Sequence, residues 1–127
     1  MVRVLLVGLG GAVGSVLRYL LGGLSQGIFQ TSRFPIGTLL INLTGCFVIG
    51  LLSQLAESQG AFTELTRAFV FVGILGGYTT FSTFSNESLN LFRAGDVLLG
   101  VINVVVQALG GLGLAWAGRI CGQLVWR

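Results

Sequence analysis

The sequence has no lysine, no histidine and a single proline, and charged residues of every kind are scarce. Its seven arginines and four acidic residues amount to 9% of 127 residues and leave a net charge of +3, whereas about a quarter of the residues in a soluble domain are charged. So few charges cannot coat a compact soluble body, and the composition predicts an integral membrane protein surrounded by a lipid bilayer. The scattered arginines also argue against nucleic acid as a partner, because nucleic-acid binding favours a clustered basic face.

The scarcity of metal ligands and reactive groups excludes further classes of protein. Without histidine, the two cysteines Cys46 and Cys121 do not suggest a zinc site, and we interpret both as buried, reduced thiols. The sequence offers no nucleophile–base pair and no paired carboxylates, so we do not expect an enzyme. The N-terminal apolar run is longer than the core of a signal peptide and has no clear cleavage site, which indicates a retained membrane helix.

Four long apolar segments make up most of the chain. Each exceeds the roughly 20 residues needed to cross the hydrocarbon core of a bilayer. The connections between them, at 25–35, 57–64 and 93–96, are too short to form another domain, and Pro35 suits the first turn of the second helix. We therefore expect an all-α membrane protein in which residues 1–127 form a single transmembrane domain. The predicted helices span 2–24, 36–56, 65–92 and 97–124.

The third segment contains an unusual polar stretch, GGYTTFSTFSNE, at residues 76–87. Glycine tolerates backbone angles that other residues avoid, so Gly76 and Gly77 predict a break in this helix. The threonines and serines that follow can cap a second half-helix. A broken membrane helix is tolerated only where the freed backbone groups find partners or line a cavity, and such breaks recur at ion sites. A kink without a binding site is the alternative, and the pattern alone does not separate the two.

Two aromatic rings and several hydroxyl groups follow the predicted break. Phe81 and Phe84 are three residues apart and share a helix face, with the hydroxyls of Ser82 and Thr83 beside them. Aromatic rings have positive edges, so two edges directed into a narrow passage would suit a small dehydrated anion. Ordinary lipid-facing phenylalanines are the alternative interpretation.

Other polar residues lie at membrane depth, where they are costly unless they are used. Asn42 offers an amide donor from the second helix, and Asn103 and Gln107, four residues apart, share one face of the fourth helix. They could form a track of hydrogen-bond donors or simply bond the helices together. Arg18 could reach the membrane interface or give a pore mouth a positive potential, and Glu87 is a candidate partner for an arginine. These patterns indicate a small ion channel or transporter.

The arginines do not define an orientation in the membrane. Arginines near cytoplasmic helix ends normally set the orientation, but here four lie toward one side and three toward the other. A chain without a clear bias can insert both ways round, which permits an antiparallel homodimer. The side that carries both termini has Arg3, Arg67, Arg119 and Arg127, and the opposite side has Arg18, Arg33 and Arg93.

Glycine is abundant, with 21 residues. Small residues four apart allow membrane helices to approach closely. We interpret such pairs as packing notches within one chain rather than as contacts between two chains. The pairs are Gly10 with Gly14, Gly73 with Gly77, and Gly118 with Gly122.

The sequence resembles the Fluc/CrcB family of fluoride channels over its whole length. The motifs that carry the resemblance are GGAVGSVLR in the first helix, GTLLINLTG in the second and GGYTTFSTFSNE in the third. The resemblance implies a dual-topology antiparallel homodimer with four helices per subunit, a broken third helix and two fluoride pores. It also implies a sodium ion at the two-fold axis. The implied role is passive export of toxic fluoride from the cytoplasm, through the inner membrane of a bacterium.

The resemblance also implies roles for individual residues. Phe81 and Phe84 would turn their ring edges to fluoride, and Asn42 would place its amide beside the pore. The carbonyls of Gly76 and Thr79 would hold the sodium ion. The fourth helix differs from some family members, which have hydroxyl-bearing or aromatic residues at the positions of Asn103 and Gln107 and often serine at that of Gly111. The remaining pore residues implied are Arg18, Ser82, Thr83 and Glu87.

Two other functions are compatible with four short membrane helices. A small multidrug exporter is also a dual-topology four-helix dimer, but it needs a membrane-embedded carboxylate for proton exchange, and the first helix here has no acidic residue. A structural subunit that helps a partner to fold is the second alternative. It would leave the polar residues of helices two, three and four without a purpose.

Overall fold

A computed structural model describes residues 1–29, 32–58, 60 and 62–126, and within these ranges the regular structure is entirely helical. The described residues include four helices that are long and apolar enough to cross a membrane. This confirms the prediction of an all-α membrane protein with four spans. The spans are Val2–Ser25, Ile36–Ser58, Glu64–Arg93 and Val97–Val125.

The first predicted helix ends later than expected, and the third is divided into two parts. The helices are α1 (Val2–Ile28), α2 (Ile36–Ser58), α3 (residues 64–78), α4 (Phe81–Arg93) and α5 (residues 97–125). Parts of the predicted connections, and one arginine used to judge orientation, lie outside the described residues. These are Gln30, Thr31, Gln59, Ala61 and Arg127.

The helix ends follow local sequence signals. Pro35 precedes α2 rather than forming its first turn, and its carbonyl accepts a hydrogen bond from Leu39 N at 3.1 Å. After α4, Gly95 adopts a φ of 84°, which favours glycine because it has no Cβ. Asp96 N then donates to Leu91 O at 3.0 Å, closing a Schellman motif. The predicted turn at residues 93–96 is therefore built around Gly95.

The third span is interrupted at two threonines, not at the two glycines that predicted the break. Thr79 (φ −81°, ψ 157°) and Thr80 (φ −147°, ψ 107°) are extended, whereas Gly76 is helical at φ −64°, ψ −37°. β-Branched residues are restricted in helices and suit an extended backbone. Thr80 also caps α4, because its Oγ1 accepts from Thr83 N at 3.3 Å. The predicted capping by a hydroxyl residue is thus confirmed, two residues beyond the expected break.

Two stretches of π-helix flank the site described below. Ala68–Leu75 precedes the break within α3, and Val106–Gly110 interrupts α5 and contains Gln107. A π turn inserts an extra residue into the helical repeat and rotates the side chains that follow. Both stretches therefore change which side chains face the centre of the helical bundle.

Glycines bring the helices of one chain into backbone contact. A Cβ at Gly10 would lie 2.9 Å from the Cα of Gly73, and one at Gly77 would lie 2.6 Å from the Gly11 carbonyl oxygen. A Cβ at Gly122 would lie 2.7 Å from the Gln54 side chain. α1 therefore packs on α3, and α2 on α5, through glycine surfaces. This confirms that the glycine pairs are packing notches within the chain.

We predict that Gly14→Ala destabilises the protein, because its Cβ would collide with the Ile74 carbonyl and lie 2.7 Å from Tyr78 N. Overpacking of this kind costs about 1–3 kcal/mol. Gly8→Ala on the same helix is the matched control, since a Cβ added there would have nothing within 4 Å. Thermal unfolding in detergent should show a lower midpoint for Gly14→Ala only. Equal midpoints for the two variants would contradict this account of packing.

Candidate functional site

Two cavities meet at the break in the third span. The wide cavity has a volume of about 990 Å³ and the narrow cavity about 410 Å³, and Thr80 lines both. Of the predicted site residues, Arg18, Thr83 and Glu87 line the wide cavity. Ser82 and Asn103 line neither of the two. The narrow cavity brings together the largest group of predicted site residues, which are Asn42, Gly76, Thr79, Phe81, Phe84 and Gln107.

The side chain of Asn42 pairs with both backbone groups of Thr80. Thr80 N donates to Asn42 Oδ1 at 2.8 Å, and Asn42 Nδ2 donates to Thr80 O at 3.1 Å. In a continuous helix the Thr80 N–H would instead reach the carbonyl of Gly76, four residues earlier. Asn42 thus satisfies polar groups that would be costly to leave unpaired in a membrane. The Gly76 carbonyl loses its usual helical donor as a result.

The Asn42 amide begins a chain of hydrogen bonds that links α2, α4 and α5. Asn42 Nδ2 donates to Gln107 Oε1 at 2.7 Å, and Gln107 Nε2 donates to Asn103 Oδ1 at 3.2 Å. Asn103 Nδ2 donates to Ser88 Oγ at 2.9 Å, and Ser88 Oγ donates to Phe84 O at 2.8 Å. We refer to Asn42, Gln107, Asn103 and Ser88 as the amide chain. Asn103 is 0% exposed, so this polar track is partly sealed inside the bundle.

The shared face predicted for Asn103 and Gln107 is confirmed by their direct hydrogen bond. The two interpretations left open by the sequence, a donor track and a bond between helices, are therefore not exclusive. Sequence reasoning missed Ser88, which is buried. Its position four residues after Phe84 places it on the same face of α4, a signal that was available.

The phenylalanine pair lies beside the amide chain. The ring centroids of Phe81 and Phe84 are 5.5 Å apart with an interplanar angle of 61°, an edge-to-face arrangement. Phe81 is 79% exposed within the single chain, so most of this side chain is left uncovered by the rest of the described chain. Edge-to-face packing leaves part of the positive ring edges directed away from the pair. Phe81, Phe84, Asn42 and Gln107 all line the same narrow cavity.

On the other side of the break, a guanidinium replaces a lost helical hydrogen bond. The Thr83 N–H, which would serve the carbonyl of Thr79 in a continuous helix, is donated to Thr80 Oγ1. Arg18 Nη1 donates to the Thr79 carbonyl instead, at 3.2 Å. Arg18 therefore brings positive charge to the break itself, deeper than a position at the membrane interface. It also lines the wide cavity.

The expectation that Glu87 pairs with an arginine is wrong for the described structure. Glu87 Oε1 accepts a hydrogen bond from Thr38 Oγ1 at 2.8 Å, and Oε2 has no hydrogen-bond partner among the described residues. The physical reason is that Arg18 is engaged by the Thr79 carbonyl, while Glu87 is half-buried against α2. The ion pairs that the described residues do form are Arg3 with Glu64, Arg33 with Asp96, and Arg119 with Glu57.

The hydroxyl groups at the start of α4 are largely engaged with one another. Thr80 Oγ1 donates to Thr83 Oγ1 at 2.9 Å and lies 3.4 Å from Ser82 Oγ.

Cys46 contributes a thiol to the lining of the narrow cavity. Cys46 and Cys121 form no disulfide, and both are half-buried, whereas we expected both to be buried. In the part of the chain described, no group of three or more Cys, Asp and Glu side chains could hold a metal ion.

Comparison with known proteins identifies relatives over almost the whole chain. Residues 5–119 match the family described as "CrcB-like protein, Camphor Resistance (CrcB)". A protein of Ruminiclostridium cellulolyticum named "Fluoride-specific ion channel FluC" is 48% identical over 125 residues, which cover 98% of this chain and 92% of that protein. Proteins of the same name from Desulforapulum autotrophicum and Shewanella halifaxensis are 42% identical over 119 residues and 48% over 105. The match to the Desulforapulum protein covers 94% of this chain and 94% of that protein, and the match to the Shewanella protein covers 83% of each.

We predict that Asn42→Leu lowers the stability of the protein. It would leave the Thr80 N–H, the Thr80 carbonyl and Gln107 Oε1 without their partner, and each buried unpaired group costs about 1–3 kcal/mol. Asn86→Leu is the matched control, because Asn86 is exposed on α4. Thermal unfolding followed by circular dichroism should show a clear fall in midpoint for Asn42→Leu and little change for Asn86→Leu. A wild-type midpoint for Asn42→Leu would show that its amide does not support the break.

Proposed function

The chain belongs to the CrcB-like family, and from this premise we propose that it is a fluoride-specific ion channel. Its role is to let fluoride leave the cytoplasm passively and so to lower the toxicity of the ion. The observation that carries this proposal is the narrow cavity, in which two phenylalanine rings and two side-chain amides surround a break in a membrane helix. The relatives named fluoride-specific ion channels support the same ion.

The chemistry of fluoride suits this cavity. Fluoride is small, strongly hydrated and a strong hydrogen-bond acceptor, so a selective path must replace its water with donors at close range. Amide N–H groups and positive ring edges are such donors. The positive charge of Arg18 at the break adds a favourable potential for an anion that enters from the wide cavity. The narrow and wide cavities would then form consecutive parts of one path, with Thr80 between them.

The two alternative functions have less support. A multidrug exporter depends on a membrane-embedded carboxylate in the first helix, and Val2–Ile28 contains no acidic residue. A structural subunit would not need the amide chain or the phenylalanine pair to lie together at the break. A fluoride path accounts for the absence of the carboxylate and for the grouping of these side chains.

We propose that the active unit is an antiparallel, dual-topology homodimer in the inner membrane of a bacterium, with two pores. The near-equal division of arginines between the two sides of the membrane supports insertion both ways round. The exposure of Phe81, 79% in the single chain, supports a second copy beside the narrow cavity. A partner there would exclude lipid from the ring edges and complete the wall of the path.

We propose in addition that the Gly76 and Thr79 carbonyls of both subunits hold a sodium ion at the two-fold axis. The Gly76 carbonyl has lost its helical donor, and the Thr79 carbonyl, which accepts from Arg18, retains a second lone pair. Oxygen atoms, including main-chain carbonyls, are the ligands that hard cations prefer. One chain supplies two such carbonyls, and a second copy would supply two more. Bound sodium would offset the negative ends of the carbonyl dipoles at the break.

The assembly can be tested by exchanging the cation. Purified protein in detergent should run as a dimer in sodium buffer, and it should be less stable as a dimer when a large organic cation replaces sodium. Size-exclusion chromatography with light scattering measures both. Monomer in sodium buffer would contradict the homodimer, and equal dimer stability in both buffers would contradict the sodium site.

The proposed function can be tested by fluoride efflux from liposomes that contain the purified protein. We expect rapid fluoride release with chloride retained from the wild type. Phe81→Ile and Phe84→Ile should each slow fluoride release, because isoleucine keeps an apolar side chain but has no positive ring edge.

The matched control for these two variants is Phe92→Ile, which makes the same change on α4 at a residue that does not line the narrow cavity. It should release fluoride at the wild-type rate. Absence of release from folded wild-type protein in sodium buffer would contradict the channel function. Wild-type rates for both Phe81→Ile and Phe84→Ile would leave a channel but remove the role of the ring edges.

A further inference from the structure

We propose that Gln107 is the side chain whose amide donates to the anion in the narrow cavity, and that Asn42 is a positioning residue whose amide is taken up by the helix break. This assignment rests on the proposed function and sharpens it, since it separates two amides that line the same cavity. It follows from the direction of each hydrogen bond in the amide chain. That direction is fixed from both ends by groups that can act in only one way.

At the first end, the backbone of Thr80 fixes the orientation of Asn42. A backbone N–H can only donate and a carbonyl can only accept. The atom of Asn42 that lies 2.8 Å from Thr80 N must therefore be Oδ1, and the atom 3.1 Å from Thr80 O must be Nδ2. Rotating the amide by half a turn would set donor against donor and acceptor against acceptor. The orientation of this side chain is thus determined by its partners.

The orientation then passes along the chain from one amide to the next. Because Asn42 Nδ2 faces Gln107 at 2.7 Å, the facing atom of Gln107 must be the acceptor Oε1. Its Nε2 is then the atom that faces Asn103 at 3.2 Å, so Asn103 presents Oδ1 to it. Nδ2 of Asn103 is left to donate to Ser88. None of the three amides can turn over alone without breaking at least two hydrogen bonds.

The second end gives the same answer independently. The carbonyl of Phe84 can only accept, so Ser88 must donate its single hydroxyl proton to it at 2.8 Å. Ser88 Oγ is then an acceptor toward Asn103, which must present Nδ2, at 2.9 Å. Working from Phe84 and working from Thr80 therefore assign the same direction to every bond. The two constraints lie at opposite ends of the amide chain.

Counting the amide protons identifies the available donor. Asn42 has two N–H bonds, and both are donated, to Thr80 O and to Gln107 Oε1. Gln107 donates one of its two to Asn103 and keeps the other without a partner among the described residues. Asn103 also keeps one, but it is 0% exposed and does not line the cavity. Gln107 lines the narrow cavity and is left as its amide donor.

The hydroxyl groups of the cavity do not change this count. Thr79 Oγ1 donates to Leu75 O at 3.0 Å, and Thr80 Oγ1 donates to Thr83 Oγ1 at 2.9 Å. The remaining side-chain donor is the thiol of Cys46, which is a weak one. For a fluoride ion to take a proton from Asn42, it would have to displace a hydrogen bond that supports the helix break. The free N–H of Gln107 requires no such displacement.

The two amides should therefore respond differently when the ion binds. In the wild-type protein, labelled with ¹⁵N at its glutamine and asparagine side chains, fluoride should shift the amide protons of Gln107 and leave those of Asn42 nearly in place. Chloride is the control anion and should shift neither. The side-chain amide signals of Gln107 and Asn42 are assigned in the wild type through correlations to the backbone amides of the same residues.

A variant supplies the corresponding measurement of flux. Gln107→Met keeps the length of the side chain but removes its amide, including the acceptor Oε1 used by Asn42. Fluoride efflux should fall about tenfold or more, the scale of a hydrogen bond to a charged group. Gln123→Met is the matched control. It makes the same change on α5 at an exposed glutamine that lies 3.5 Å from Gln54 Oε1, outside both cavities. Its efflux should equal that of the wild type.

The outcomes separate this proposal from the function on which it rests. Wild-type efflux with a fluoride shift at Asn42 and none at Gln107 would overturn the assignment and leave the channel intact. So would wild-type efflux from folded Gln107→Met. If Gln107→Met does not fold, the shifts in the wild type decide alone. Absence of fluoride efflux from the wild type would overturn both proposals together.

Discussion

Two extended residues inside a membrane-spanning helix create a requirement that the rest of the site meets. Lipid cannot pair with the N–H and C=O groups freed at Thr79 and Thr80, so the protein must supply every partner. Asn42 takes both backbone groups of Thr80, and Arg18 takes the carbonyl of Thr79. Polar side chains such as Asn42 and Arg18 are costly at this depth unless they are used. Here they pair with the backbone groups of the break, and this pairing allows the break to exist inside a membrane span.

Meeting that requirement organises the chemistry on both sides of the break. The pairing with Asn42 removes the usual donor of the Gly76 carbonyl and fixes the orientation of an amide chain that runs through α5 to Ser88 in α4. Because fixed backbone groups set the direction of the amide chain from both of its ends, the chain holds a single arrangement. A single arrangement is useful to a selective path, because donors that are already in place need not reorganise when an ion loses its water.

The sequence predicted the parts of this structure that depend on local signals. Hydropathy placed the four spans, and the threonine-rich stretch indicated a cap at the start of α4. The position of the break was predicted two residues early, because glycine permits an irregular backbone whereas the extended pair is set by β-branched threonines and by Asn42 on another helix. The partner of Glu87 and the directions of the amide hydrogen bonds depend on how α2, α4 and α5 are placed side by side. Spacing along one helix carries no such information, although it did predict that Asn103 and Gln107 share a face.

The central claim is that the third span is interrupted by an extended pair and not by a smooth kink at Gly76 and Gly77. Backbone ¹³Cα and ¹³Cβ chemical shifts of the wild-type protein in detergent micelles test it most directly. We expect extended-backbone shifts at Thr79 and Thr80, with helical shifts at Gly76, Gly77 and from Phe81 onward. Helical shifts at both threonines would show that the span is continuous and would contradict the claim.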